Sequence, residues 1–513
     1  MPAQSWFMLA FVVTAVNGGN VQKEGLQLPA SAATQRNAVM ALFNDSYQAY
    51  TQHAWGHDEL LPVSVSYSDD LNGWGASIAD AMSTMWIMGF YDWFNTAVNY
   101  TASIDFTQSR TDAAVSVFET TIRYVGGLLS AYELSGEQYP VLVDKAEQVA
   151  QQMAYAWVGD NAIPFNYINF TGHQPVIAIS NIAQAGSSLL SVLVPLILRS
   201  LYTGNDTYRQ LAEKSVQHLI NMPAPLPGMP AQDINPSTGN ANGGYVSWGG
   251  GSDSYFEYLI KYARLTNTDD NSYADAWITA VNTSINELLR TSTVDGWVYL
   301  ADYDDNKQIR HVGSHLACFY GGNWILGKNV GGKLTNNDTL VDVGLQLTDA
   351  CWNTYASTAT GIGPEAFAYI SSDGDYTGGP PPNAEQSQFY NDHGFYITTA
   401  DYIQRPEVLE SNFYAWRVTG DTKYFDNAAN AIQSFQKYLP TTVAYAGINN
   451  VNAQSSSLID EMETFWFAEV LKYLYLTFDD PEHISLDDYV FNTECHPFKA
   501  PAAKDTYGSG PVD

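Results

Sequence analysis

The chain has 513 residues, with 22 Lys plus Arg against 54 Asp plus Glu, a formal charge of −32. That balance excludes a nucleic-acid binder working through a basic face, which needs clustered Lys and Arg. A hydrophobic content of 45% excludes a disordered chain, and with only 15% charged residues the surface must be polar through hydroxyls and amides, as suits a secreted protein.

The chain opens on an apolar run, Trp6 to Val16, followed by Asn17, Gly18 and Gly19. Eleven residues fit the core of a signal peptide and fall short of the roughly 20 that span a bilayer. Residues 1–20 are therefore expected to be a signal peptide, and no other stretch reaches the length of a membrane anchor. Sequons at Asn44, Asn99, Asn169, Asn205, Asn282 and Asn337 are candidate glycan sites; Pro236 excludes Asn235.

Apolar periodicity predicts helices over Ile78–Phe94, Val115–Tyr132, Ile182–Tyr202, Tyr255–Leu265, Leu340–Thr354 and Leu458–Phe478. Four segments share one grammar, an apolar helix end, a small polar turn and a Tyr that opens the next helix. They end at Tyr139, Tyr208, Tyr273 and Tyr424, spaced by 69, 65 and 151 residues, the last interval about twice the others. Gly136, Gly204 and Gly420 suit the left-handed residue that closes a helix. Each copy is a helix–turn–helix hairpin, and stacked hairpins bury their apolar faces on one another. The predicted fold is all-α: a closed α/α toroid of helical hairpins over 35–498, since an open solenoid would need capping repeats. Two loops rich in Gly and Pro, Met222–Ser252 and Ser371–His393, are long enough to be functional, and the first delivers Asp253 to a helix start. The tail, 499–513, is expected to be flexible. Cys318 and Cys351 lie 33 residues apart and can pair in an oxidising compartment, leaving Cys495 odd.

An acidic, aromatic-rich chain points to carbohydrate. Glycoside hydrolysis needs two carboxyl groups, one protonated and one ionised, so acids set in apolar or Gly/Pro contexts are the candidates. They are Glu59 in Trp55–Pro62, Glu119 in Phe118–Arg123, Asp253 after Gly249-Gly-Gly-Ser, Glu365 in Gly361–Glu365, Glu407 with Glu410, and Glu463 with Glu469. Glu59 and Asp253 also fit helix caps, and Glu119 with Arg123 fits an ordinary i,i+4 pair. So many acids in apolar runs repel one another unless a cation or a sugar sits among them. Asp302-Tyr-Asp304 begins like a calcium loop, but Lys307 stands where Gly is needed and Gly313 where Glu is needed.

These stretches resemble class I α-1,2-mannosidases, glycoside hydrolase family 47. The residues that carry the likeness are Trp55–Ser64, Ile78–Gly89, Val117–Tyr132, Asp253–Tyr258, Arg405–Ser411, Glu463–Tyr473 and Val490–Pro497, in order from about residue 36 to 498. The resemblance implies an (αα)7 barrel and Ca2+ bound at its floor through the hydroxyl and carbonyl of Thr493. It implies inversion at the anomeric carbon, with Glu59 as general acid, Glu407 as base, Asp253 as a second carboxylate acting through water, and Glu365 as a further proton donor. It implies an acidic floor of Glu410, Glu463, Glu469 and Glu494, with Phe465 beneath the sugar ring. Glu119, Arg123 and His315 match substrate-pocket residues, and Cys318–Cys351 matches the family disulfide.

Two departures stand out. Gly249-Gly-Gly-Ser252 stands where endoplasmic-reticulum members carry an Arg, which looks like the branch that trims several mannoses, and Cys495 replaces an Ala. The implied protein is a secreted, monomeric exo-α-1,2-mannosidase that trims a high-mannose oligosaccharide or glycoprotein from nine mannoses towards five. A catalytically silent glycan-binding relative would keep the barrel and lose carboxylates; every matched acid is present here.

Overall fold

Helices that are apolar on nearly every face must be surrounded by protein, whereas amphipathic ones lie at the surface. The computed structural model, which describes residues 21–191, 206–330, 337–504 and 507–509, sorts its helices that way. The first half runs α1 (Ala32–His53), α2 (Ala76–Met88), α3 (Tyr91–Ala102), α4 (117–134), α5 (Pro140–Met153), α6 (182–191) and α7 (Thr207–Asn221). The second runs α8 (Asp253–Thr266), α9 (Ser272–Thr283), α10 (Phe319–Val330), α11 (Asn337–Ala356), α12 (Glu407–Thr419), α13 (Thr422–Tyr438) and α14 (466–478).

The even-numbered helices touch in sequence, α2 to α4 and on round to α14, and α14 returns to α2. The odd-numbered helices pack outside, so seven hairpin layers close into a ring, the (αα)7 barrel. The caps follow the grammar of the turns. Gly420 (φ 66°) closes α12, and the side chain of Asp421 accepts from the Lys423 N–H at 3.0 Å to open α13; in the third copy Asn267 (φ 48°) takes the left-handed place.

The links have a polarity that places the site. Inner helices pass to the next outer helix by short turns, as at Met88–Tyr91, Leu134–Pro140 and Thr419–Thr422. Outer helices return by long segments that carry antiparallel hairpins, among them Glu59–Leu61 with Ser66–Ser68 and a three-stranded set from Val312–Ser314, Ala366–Ala368 and Tyr396–Thr399. Every inner helix therefore begins at the loop-rich end. At the axis a last hairpin, Tyr489–Phe491 with Pro497–Lys499, carries a buried tip. Asn492 Nδ2 donates to the Ile122 carbonyl at 3.1 Å, and Lys472 Nζ to the Cys495 carbonyl at 2.7 Å.

Several boundaries differ from the periodicity. The helix expected over Ile78–Phe94 breaks at Gly89, whose φ of 78° ends α2. That over Val115–Tyr132 starts at Val117, because Val115–Ser116 pairs with Tyr167–Ile168, and it carries a π-type turn at Thr120–Val125. That over Leu458–Phe478 begins only near Phe465: Leu458 bridges to Ile448 and Met462 to Leu60, so cross-chain pairing overrides the apolar run. Within the Ser371–His393 loop, Ala384–His393 is a helix with a capping box from Asn383 and Gln386. The described part of the tail is docked where flexibility was expected. The Pro501 carbonyl accepts from Arg264 at 2.6 Å, Lys504 Nζ donates to the Thr268 carbonyl at 2.9 Å, and Tyr507 is 3% exposed. The signal segment 1–20, Asn205 and the end of the Ile182–Tyr202 helix lie outside the described residues.

Cys318 and Cys351 form a disulfide that joins the start of α10 to α11. Closing a loop of 33 residues stabilises by about 2–4 kcal/mol. Replacing both by Ser is expected to lower the midpoint of thermal unfolding by several degrees while leaving the helical circular dichroism unchanged; an unchanged midpoint would count against this role.

Candidate active site

The polarity of the barrel gathers helix N-termini around one cavity of about 270 Å³. Glu119 lies in the first turn of α4, Asp253 in that of α8 with Glu257 one turn on, and Glu407 and Glu410 in that of α12. The partial positive charge of each N-terminus favours an acid there. Phe465 comes from the residue before α14, Glu469 from its first turn, and Thr493 and Glu494 from the tip of the axial hairpin. Seven carboxylates line the cavity against two guanidiniums, Arg123 and Arg405.

Arg123 sits in the π-type turn of α4 and is buried. Its Nε donates to Glu119 at 2.9 Å, and its Nη1 to Glu494 at 2.5 Å, Thr464 Oγ1 at 2.7 Å and Asp80 at 3.3 Å. The guanidinium carbon lies 5.5 Å from the centre of the Phe465 ring. Lys261, buried one turn beyond Glu257, ion-pairs with it and reaches Glu410 at 3.8 Å. The Thr493 N–H donates to the Tyr258 hydroxyl at 3.0 Å, which fixes the hairpin tip.

Carboxyl groups on this wall have opposed environments. Burial alone would raise Glu407, but hydrogen bonding and charge from His315, with Arg405 beyond, hold it below the ordinary value. The His315 Nδ1···Glu407 Oε2 distance is 2.7 Å, and His315 Nε2 lies 2.7 Å from the Tyr355 hydroxyl. Asp253 is pushed up to about 7 by burial, reinforced by Glu257 and Glu407. Burial likewise pushes Glu410 up to about 8, and carries Glu469 and Glu494 well above the usual range.

Nine of the residues singled out from sequence line this cavity: Glu119, Arg123, Asp253, Glu407, Glu410, Phe465, Glu469, Thr493 and Glu494. Glu59, His315, Glu365 and Glu463 are not in its lining. Glu365 accepts from Arg405 Nε on both oxygens, at 2.8 and 2.7 Å. Glu59 is 4% exposed and forms a separate acid group with Glu461 and Glu463, their oxygens within 4.8 Å of one another. Burial first, and then Glu463 and Glu461, push Glu59 well above the usual range; Glu463 rises to about 7. Glu463, half-buried, also lies close enough to Arg123, Arg405 and Glu119 of the cavity lining to feel their charges. Sequence reasoning passed over Glu257, Arg405 and Asp80. The spacing Asp253, Glu257, Lys261 on one helical face and the lone acid Asp80 in an apolar run were legible signals for two of them.

The donors around Thr493 are all oxygen, and among the described residues no His or Cys lines the cavity. Such a set suits a hard divalent cation such as calcium, which the mutual repulsion of the acids also favours. Thr493 offers a hydroxyl and a carbonyl, with Glu410, Glu469 and Glu494 in the same lining.

Compared with known proteins, residues 42–500 match the family described as Glycosyl hydrolase family 47. Mannosyl-oligosaccharide alpha-1,2-mannosidase 1B of Emericella nidulans is 38% identical over 487 residues, which cover 91% of this chain and 93% of the relative. The protein of the same description from Aspergillus oryzae is 38% identical over 496 residues, covering 92% and 93%. Among solved structures, an alpha-1,2-mannosidase from Trichoderma reesei matches with a TM-score of 0.84 at 36% identity, covering 91% of this chain and 99% of that one.

Acids raised by folding bind protons more tightly in the folded state, so their contribution is fully favourable below the unfolded pKa of about 4 and is lost as pH rises through the folded values. With Asp253 and Glu463 near 7 and Glu410 near 8, stability should fall between about pH 5 and 8. Glu407, held low, acts oppositely and only as pH drops below the ordinary carboxylate range. Thermal melts in chelator are expected to give a lower midpoint at pH 8 than at pH 5.5. A midpoint that rises with pH over that window would contradict this assignment.

Proposed function

The chain belongs to glycosyl hydrolase family 47 and is a mannosyl-oligosaccharide α-1,2-mannosidase; we propose that it is a calcium-dependent, inverting exo-enzyme that trims terminal mannose from high-mannose N-glycans. The observation that carries this reading is the pair of opposed carboxyl environments in one cavity, Glu407 held low by His315 and Asp253 raised to about 7. Inversion in one step needs an ionised base on one side of the sugar and a protonated acid on the other.

In this reading the terminal mannose enters from the loop face and lies against Phe465, its hydroxyls meeting Glu119 and Arg123. His315, backed by Tyr355, occupies one oxygen of Glu407 and leaves the other for water. Glu407 takes a proton from that water as its oxygen bonds to the anomeric carbon. The glycosidic bond breaks, and the departing oxygen receives a proton from Glu59 or, through a water, from Asp253. β-Mannose and the shortened glycan leave. Glu365 holds Arg405 beside Glu407. Glu410, Glu469 and Glu494, with the hydroxyl and carbonyl of Thr493, are the residues that would hold calcium and its waters; when bound, the ion orients sugar hydroxyls and offsets the charge of the floor.

The disulfide and the exposed sequons Asn99, Asn169 and Asn282 support a place in the secretory pathway, with 1–20 as a signal peptide. No described helix is long and apolar enough to cross a membrane. The four small residues Gly249–Ser252, which put no long side chain before Asp253, support trimming from nine mannoses towards five.

Glu407→Gln is expected to lower kcat by about 10²- to 10⁴-fold with the helical circular dichroism unchanged; wild-type turnover in that variant overturns the base role. Proton NMR of a nine-mannose digest should show β-mannose first, and a chelator should abolish release; α-mannose as first product overturns inversion. Activity should fall as pH rises through the pKa of the acid. A limb near pH 7 that is lost in Asp253→Asn and kept in Glu59→Gln assigns the donor to Asp253, and the reverse assigns it to Glu59.

A further inference from the structure

Beside the catalytic cavity, across Gly250, lies a second and larger one of about 550 Å³. That size falls within the range of roughly 300–1,000 Å³ typical of small-ligand pockets. It opens among the loops that lead into α8, α10 and α12, on the same face as the catalytic entrance. Gly250 lines both cavities. A Cβ at Gly250 would come within 2.8 Å of Leu316 Cδ1, and one at Gly251, whose φ is 90°, within 3.0 Å of the Gln232 side chain. Side chains there would thicken the partition; glycines keep it thin.

The polar groups of this cavity are fixed before any ligand arrives. Asp302 accepts from the Tyr245 hydroxyl at 2.5 Å and from Ser247 Oγ at 2.7 Å, while Ser247 Oγ itself accepts the Gly249 N–H at 2.8 Å. Asp305 accepts the Gly244 N–H at 2.6 Å. Val246 and Tyr303 exchange backbone hydrogen bonds of 2.8 and 2.9 Å, which lock the two segments together. Carboxylates, hydroxyls and an amide line the cavity, and among the described residues no Lys or Arg does. Such a lining accepts hydrogen bonds from a neutral polyol and repels phosphate, sulfate or carboxylate.

We propose that this second cavity is a subsite for a neutral hexose of the same oligosaccharide, beyond the sugar being cleaved, with Asp302 and its Tyr245 and Ser247 partners as the recognition element. The inference rests on the mannosidase reading and deepens it. It makes a large glycan a better substrate than a short one through binding outside the catalytic cavity.

The test compares α-1,2-linked mannobiose, too short to reach both cavities, with the nine-mannose oligosaccharide. The proteins are the wild type, Asp302→Asn, which removes a charged acceptor and keeps its shape, and Thr398→Trp, which fills the cavity. Both variants should lose roughly tenfold in kcat/KM on the oligosaccharide, mostly through KM, with mannobiose cleavage unchanged. Equal losses on both substrates, or no loss on the large one in both variants, overturn the subsite. A wild-type protein inert on both substrates would instead bring down the mannosidase reading, and the subsite with it.

Discussion

A buried guanidinium surrounded by acids holds the centre of this molecule together. Arg123 meets Asp80 of α2, Glu119 of its own helix, Thr464 at the approach to α14, and Glu494 of the axial hairpin. Those partners lie up to 371 residues away in the chain, so one side chain ties the first third of the barrel to its last segment. Asp80 and Glu494 are buried, and removing one partner from a buried ion pair costs about 3–5 kcal/mol; the partly exposed Glu119 gains less. The π-type turn in α4 is the local irregularity that carries Arg123 at this position.

The rest of the site follows from the polarity of the ring. Because inner helices all begin at the loop-rich end, their positive ends converge where acids are needed, and the long return loops stand over them. Electrostatics then separates carboxyls of the same chemistry. Glu407 has an imidazole and a guanidinium to stabilise its charge, whereas Asp253 has burial and two acidic neighbours against it. A base and an acid thus arise from neighbours and not from residue type. Across a thin glycine partition the second cavity repeats the theme without the extreme charge, offering fixed acceptors in place of reactive ones.

Much of this was legible in the chain. The turn grammar marked helix hairpins because a left-handed closing residue and a capping acid are local requirements, met at Gly420 and Asp421 and, with Asn in place of Gly, at Asn267. Acids stood out because a chain with 15% charged residues has little reason to place Glu119 or Glu469 in apolar runs. Helix ends were harder. Gly89 interrupts a run that is apolar throughout, and the run from Leu458 is extended because Leu458 and Met462 pair with segments far away in sequence.

The sequence by itself determined a ring of hairpins, an acid-rich centre and a family, since capping, periodicity and motif order are properties of neighbouring residues. Only the tertiary structure decided that Glu463 joins Glu59 and Glu461 in one acid group, that Arg405 grips Glu365, and that His315 reaches Glu407 across 92 residues. Whether an acid is a base, a proton donor or a structural partner depends on burial and on the charges within a few ångströms. Those neighbours come from separate loops and helices, and no local pattern in the chain records which of them will meet.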